Sequence, residues 1–244
     1  TLQIGNGGTT GTLGSGPVVD NGLLVFNRSD TVTVSNAISG VGSLTQAGAG
    51  TTILTGTNSY ANTTISTGTL QVGNGGTTGT LGSGPVVNNA ALVLDRSDTL
   101  TVGNVISGTG SLNQIGTGTS KISGSNSYSG GTSVTAGALL ANNSSGSATG
   151  TGAVTVLTGA TLGGTGSVIA ASGNNISIGA GATLAVGDSA TTAAFLNLGT
   201  SGSGALTLTN TTTVVTLDLI SGAGTGDHSG EISPLSADRF VIAG

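Results

Sequence analysis

Apolar and polar residues alternate along this chain in short runs, and each run ends in a cluster of Gly, Asn, Ser or Pro. In TVTV, Val32 and Val34 fall on one side and Thr31 and Thr33 on the other, and LLVF from Leu23 and SLTQ from Ser43 keep the same period. A period of two belongs to a strand with one buried and one solvated face. The pattern predicts strands over Thr1–Ile4, Pro17–Val19, Leu23–Phe26, Thr31–Val34, Ser43–Gln46, Thr51–Thr55 and Thr63–Ser66. Nowhere do apolar residues recur at helical spacing for three turns, so no helix is predicted. The intervening clusters GNGGTTG, GSGP, ISGVG and GTNSY hold residues that accept positive φ or bond their own backbone in turns.

The pattern also recurs at long range. TLQIGNGGTTGTLGSGPVV at Thr1 returns as TLQVGNGGTTGTLGSGPVV at Thr69, and 42 of the first 60 residues are identical at a 68-residue offset. Replacements such as Ile4 by Val72, Phe26 by Leu94 and Val32 by Leu100 stay apolar, which marks inward positions. Self-similarity at a fixed period points to a solenoid. A sandwich or closed barrel fits less well, because the unit is too long for one hairpin and the chain has few charges to guard open sheet edges. The expectation is an all-β parallel β-helix with turns of roughly 20 to 25 residues, about three per repeat and about eleven in all, with equivalent residues stacked like on like.

Residues 1–244 then form a single β-helix. Residues 1–137 hold two near-identical repeats and 138–244 hold degenerate turns, with a protruding loop predicted at 222–234. Thr1 enters in mid-unit and neither end carries a polar cap, so the chain reads as a piece of a longer one.

Composition narrows the function classes. Only 5% of residues are charged and 2% aromatic, so aliphatic side chains must form the core. The 47 glycines would suit a disordered linker, but such linkers lack the alternating Val, Ile and Leu found here. Net charge is −5 and the basic residues are Arg28, Arg96, Lys121 and Arg239, too few and too scattered to track phosphates or an anionic membrane surface. The absence of cysteine removes disulfides and thiolate metal sites.

Two stretches carry a more specific pattern: GSLTQAGAGTTILTGTNSYANTTISTGTLQV and GSLNQIGTGTSKISGSNSYSGGTSVTAGALL. Gly42, Leu44, Gly56, Asn58, Tyr60, Thr64, Ile65, Gly68 and Leu70 correspond to Gly110, Leu112, Gly124, Asn126, Tyr128, Thr132, Val134, Gly137 and Leu139, with one extra residue after Tyr128. This pattern resembles the autotransporter-associated β-strand repeat, or passenger-associated transport repeat. The resemblance implies a right-handed β-helical passenger segment of a bacterial protein, extracellular at the outer-membrane surface. It also implies a signal sequence and a membrane anchor outside these residues, with no membrane insertion by this segment.

Candidate chemistry is sparse. GNGGTTG at Gly5 and Gly73 lacks dinucleotide-loop spacing and precedes no helix, so it reads as a turn. Lys121 belongs to no phosphate-binding loop. Arg28 with Asp30, and Arg96 with Asp98, read as local ion pairs or turns, separated by about three turns, some 14 Å. Asp227, His228 and Glu231 could bind a divalent ion but read as a solvated loop. Thr31/Thr33 and Thr99/Thr101 recur too rarely for an ice-binding rank. Asn58 and Asn126 are expected in turns, through an αL backbone or side-chain bonding, with stacked ladders also open. Tyr60 and Tyr128 are expected to close the core edge with hydroxyls in water, in preference to binding sugar.

No catalytic, cofactor-binding or metal residue is assigned, and no cofactor is expected. The functional expectation is a non-enzymatic extracellular stalk supporting adhesion, self-association or fibre formation. Its partners would be like chains or molecules of host or neighbouring cell surfaces. An inert carrier rod for a distal domain is the alternative, and a polysaccharide-processing enzyme, whose groove would need converging charges, ranks third.

Overall fold

The computed structural model describes residues 1–187, 196–200, 206–209 and 240–243. These form a parallel β-solenoid of about nine turns with no helix. Each turn visits three faces in order. The first face holds Leu2–Ile4, Leu23–Phe26, Ser43–Gln46, Asn62–Ile65, Val86–Asn88 and Ile106–Ser107 as one six-stranded sheet. The second is a ten-stranded sheet running from Thr31–Val34 through Thr69–Val72, Ala91–Leu94, Ser111–Gln114, Val154–Val156 and Ile176–Ile178 to Phe240–Ala243. The third carries Val18–Val19 and Ile38–Ser39 in early turns. In later turns it carries Thr99–Val102, Thr119–Ile122, Ala138–Ala141, Thr161–Gly164 and Thr183–Val186. Every strand pair is parallel, as stacked turns of one winding require.

Alternation sets the faces of each strand. In Thr31–Val34 and Thr99–Val102 the Val and Leu residues are buried and the Thr residues exposed. One continuous core runs through the turns, with Leu24, Leu44, Ile65, Leu92, Leu112, Leu139 and Leu162 essentially inaccessible. Corners need glycine where one turn rests on the last: a Cβ on Gly50 or Gly118 would overlap the carbonyl of Asp30 or Asp98. Within the corner, Gln46 is buried among apolar groups because its polar atoms are used. Its Nε2 donates to Gly48 O at 2.8 Å, and its Oε1 accepts from Thr52 Oγ1 at 2.6 Å. Gln114 repeats this with Gly116 and Ser120.

Two expectations need correction. Turns number about nine, not eleven. Early register steps are short, as from Thr31 to Thr51 to Thr69 to Ala91 to Ser111, but the chain spends 30 residues between Ile176 and Leu206 and 34 between Leu206 and Phe240. Nor do the two copies stack like on like. Leu23–Phe26 lies on the first face while its equivalent Ala91–Leu94 lies on the second; Thr31–Val34 lies on the second and Thr99–Val102 on the third; Ile38–Ser39 lies on the third and Ile106–Ser107 on the first. The 68-residue unit contains ten face-segments, three turns and one face more, so the second copy is rotated by about 120° around a three-faced rod.

Candidate functional site

Two arginine–aspartate pairs serve the backbone. Arg28 donates from Nε to Asp30 Oδ1 at 2.8 Å and from Nη2 to Oδ2 at 2.7 Å, and its Nη1 donates to Gly11 O in the GNGGTTG loop of the preceding turn. Arg96 makes the same fork with Asp98 at 2.7 and 2.6 Å, and reaches Gly79 O at 2.9 Å and Thr77 O at 2.6 Å in the second loop. Each RSD corner is thus a clamp that pins a glycine-rich loop through its carbonyls. The arginine hydrogen bonds hold Asp30 and Asp98 below the usual carboxylate range. The ion-pair reading therefore holds. The two clamps occupy different corners, however, and do not form a vertical pair at turn spacing.

The tyrosines reverse the sequence expectation: both are fully buried, with hydroxyls away from water. Tyr60 Oη accepts from Thr63 Oγ1 at 3.2 Å. Tyr128 Oη lies 2.6 Å from Thr132 Oγ1, which itself donates to Thr149 O at 2.9 Å, so the tyrosine is the donor of that pair. Burial pushes Tyr60 up to about 12 and raises Tyr128 as well. The rings are not rim residues because the next turn closes over them with a glycine. A Cβ on Gly82 would stand 2.5 Å from the Tyr60 ring, and one on Gly150 2.9 Å from that of Tyr128.

Asn58 and Asn126 work by side-chain bonding. Asn58 Oδ1 accepts from Ile38 N at 3.0 Å and its Nδ2 donates to Thr80 O at 2.7 Å, stitching three successive turns. Asn126 does the same between Ile106 N and Ala148 O. No asparagine ladder forms at these positions, since the partners are backbone groups. Sequence reasoning missed Asn36 and Asn104, whose amides donate to Gly14 and Gly16 and to Gly82 and Gly84. Their recurrence at the repeat offset was the available signal.

The threonine pairs build no flat rank, for Thr33 is paired with Ile53 and Thr101 with Lys121. Asp227, His228, Glu231 and the loop expected at 222–234 lie outside the described residues. Among the described residues no three His, Cys, Asp or Glu side chains gather as metal ligands.

What the surface does offer is a shallow groove of about 420 Å³ on the second face. Asn113, Ser133 and Thr155 stand in register along its floor on successive turns. Ser129, Gly130 and Gly131 form its wall, and this is the stretch where the second copy has its extra residue. The lining presents hydroxyls and amides and no ionisable group, so it can make neutral hydrogen bonds but offers no acid, base or nucleophile pair of the kind hydrolysis needs.

The fold is that of a solenoid repeat protein, with the Arg28–Asp30 and Arg96–Asp98 pairs holding loops at its corners. Residues 44–72 and 112–141 match the passenger-associated-transport-repeat family, the two stretches that carry the buried tyrosines. The chain is also 41% identical over 78 residues to the adhesin BmaC autotransporter of Brucella suis biovar 1 (strain 1330), a match covering 32% of this chain and 2% of that protein. No solved structure matches. Both likenesses point to the passenger repeats of autotransporters and to the extracellular, outer-membrane surface.

Proposed function

We propose that this segment is an adhesive stalk: a non-catalytic rod that holds contact surfaces away from the cell and binds like chains or molecules of host or neighbouring cells. The observation carrying this reading is the use of charge. Arg28, Asp30, Arg96 and Asp98 are occupied in loop clamps, and the groove is lined by neutral hydrogen-bonding groups. The likeness to a protein named as an adhesin supports the same direction. Nine turns at about 4.8 Å give a rod of roughly 43 Å. Low surface charge removes one barrier to association between such rods.

A carrier rod that merely spaces a distal domain is the second reading, favoured by the near-identity of the copies. The two separate in one experiment. In the full-length parent protein on the bacterial surface, residues 1–187 are exchanged for a parallel β-solenoid of equal turn number and unrelated surface, and adhesion to cell monolayers and to like cells is counted. Loss of adhesion at unchanged surface display is the expected result. Full retention would assign the segment to spacing alone.

A further inference from the structure

The unit does not stop at the second copy. Gly150 covers Tyr128 as Gly82 covers Tyr60. Ala148 O accepts from Asn126 as Thr80 O does from Asn58, and Thr151 N bonds Tyr128 O as Ser83 N bonds Tyr60 O. Residues 148–152 are thus the structural counterparts of 80–84, and the strands that follow keep the correspondence. Val86–Asn88 on the first face becomes Val154–Val156 on the second, Ala91–Leu94 on the second becomes Thr161–Gly164 on the third, and Ile106–Ser107 on the first becomes Ile176–Ile178 on the second. Ser167–Ala170, counterpart of Thr99–Val102, has returned to the first face, where Ser167 O accepts from Ala148 N. A third unit with the same geometry, rotated by one further face, therefore lies in the stretch where the sequence repeat dissolves.

Among the described residues, the longest strandless stretch of each unit is one loop. Loop 5–16 falls between the first-face strand Leu2–Ile4 and the third-face strand Val18–Val19, and so covers the second face. Loop 73–84 follows second-face Thr69–Val72 and precedes first-face Val86–Asn88, and so covers the third. Loop 142–152 runs from third-face Ala138–Ala141 to second-face Val154–Val156, and so covers the first. All three tips are exposed, at 6–10, 74–78 and 144–146, and none of the three loops contains an ionisable side chain. The third loop has no arginine clamp. Asn143, buried beneath it, donates to Ser145 O and Gly146 O and accepts from Ser167 N.

We propose that the 68-residue unit is a pointing device: its extra third of a turn aims one neutral, hydrogen-bonding loop at each of three sides in succession. The three loop tips then face three sides of the rod, and each can be reached without obstructing the others. This does not depend on the adhesive reading, because it concerns the direction of the loops and can be tested with a partner of known identity.

The same short epitope is inserted between Gly7 and Gly8, between Gly75 and Gly76, and between Ser144 and Ser145, singly and together, and saturated with one Fab. Neighbouring loops are separated along the axis by about 16 Å, less than the width of a Fab, so loops sharing one side would exclude each other. Mass measurement of the complex should give one Fab for each singly tagged chain and three for the triple. One Fab on the triple-tagged chain overturns the proposal, and a silent tag at 144–145 overturns the third unit's share in it. Should the insertions prevent folding, the cysteine-free chain accepts spin labels at Thr9, Thr77 and Ser144 through cysteine substitution. Distances clearly longer than the axial step support the rotation, and distances equal to it refute it.

Discussion

The first and second copies share most of their residues yet lie on different faces of the rod, so the same segment has two sets of neighbours. Their internal devices survive the change. Gln46 and Gln114 close a corner identically, Arg28 and Arg96 fork the same aspartate two residues on, and Asn58 and Asn126 stitch the turns above and below. Each device is completed within its own corner or by backbone groups of adjacent turns, and both are the same on every face. That is why a unit with a fractional number of turns can repeat without losing its contacts. The copies differ where a side chain must meet something particular. Asn88 Nδ2 donates to Ser111 O at 2.8 Å, whereas Asp20, its counterpart, is buried with Oδ2 unpartnered. Tyr128 sits in a longer hydrogen-bond chain than Tyr60.

The sharpest test of equivalence removes the rings. Tyr60→Ala and Tyr128→Ala should each destabilise by about 3–5 kcal/mol through the cavity left under the covering glycine, read from urea unfolding. A large loss at one site alone would break the parallel. Exchanging the residues at a buried polar position where the copies differ comes next. Asp20→Asn should stabilise by about 1 kcal/mol by supplying the bond that Asn88 makes, and Asn88→Asp should cost about 1–3 kcal/mol. Equal and negligible effects would mean that the Asn88 amide contributes nothing.

Removing only the hydroxyls should separate the copies. Tyr128→Phe should cost about 1 kcal/mol, because it leaves the Thr132 hydroxyl short of a partner, and Tyr60→Phe less, its bond being longer. Burial keeps Tyr60 protonated up to about 12. An unfolded tyrosine ionises near 10, so this contribution is complete below that pH and is lost as pH rises toward 12. Tyr60→Phe should therefore flatten the alkaline fall in stability, and an unchanged alkaline limb would exclude Tyr60 as its source.

The smallest effect is local. Arg96→Ala should speed amide exchange in loop 73–84 more than Arg28→Ala does in loop 5–16, since Arg96 holds two loop carbonyls and Arg28 one. In the unmodified chain both loops should loosen only in acid. Asp30 and Asp98 have depressed values, so their contribution is present above the ordinary carboxylate value of 3.8 and disappears as pH falls through the lower folded one. Loosening that begins near neutrality would point away from the clamps.

Strand positions were legible because alternation is local. Leu23–Phe26, Thr31–Val34 and Ser43–Gln46 were read to the residue, and Thr51–Leu54 and Asn62–Ile65 within one. Ile38–Ser39 escaped because it opens the ISGVG cluster, whose glycines read as a turn. The rotation was hidden because a repeat length in sequence does not disclose residues per turn; only the register from Thr31 to Thr51 reveals that 68 is not a whole number of turns. The third unit was hidden because its devices are satisfied by carbonyls: Ala148 can replace Thr80 because its backbone oxygen still takes the Asn126 amide, while Ser147 O takes the Asn126 N–H whose counterpart on Asn58 goes to the Thr80 hydroxyl. The tyrosine hydroxyls were misplaced because the covering Gly82 and Gly150 lie some twenty residues downstream, outside any local pattern.

The fractional turn also bears on how such a coding sequence can change in length. The first two units are alike enough for unequal crossing-over to join Thr1 and Thr69 stretches out of step, adding or deleting one unit. Any such product keeps its turns in register, because each face accepts what the previous one held. A gain or loss lengthens or shortens the rod by about 16 Å and swings everything beyond the junction by a third of a revolution. Copy number can therefore drift between lineages at little cost to folding, while the side of the rod on which distal surfaces lie changes with every event.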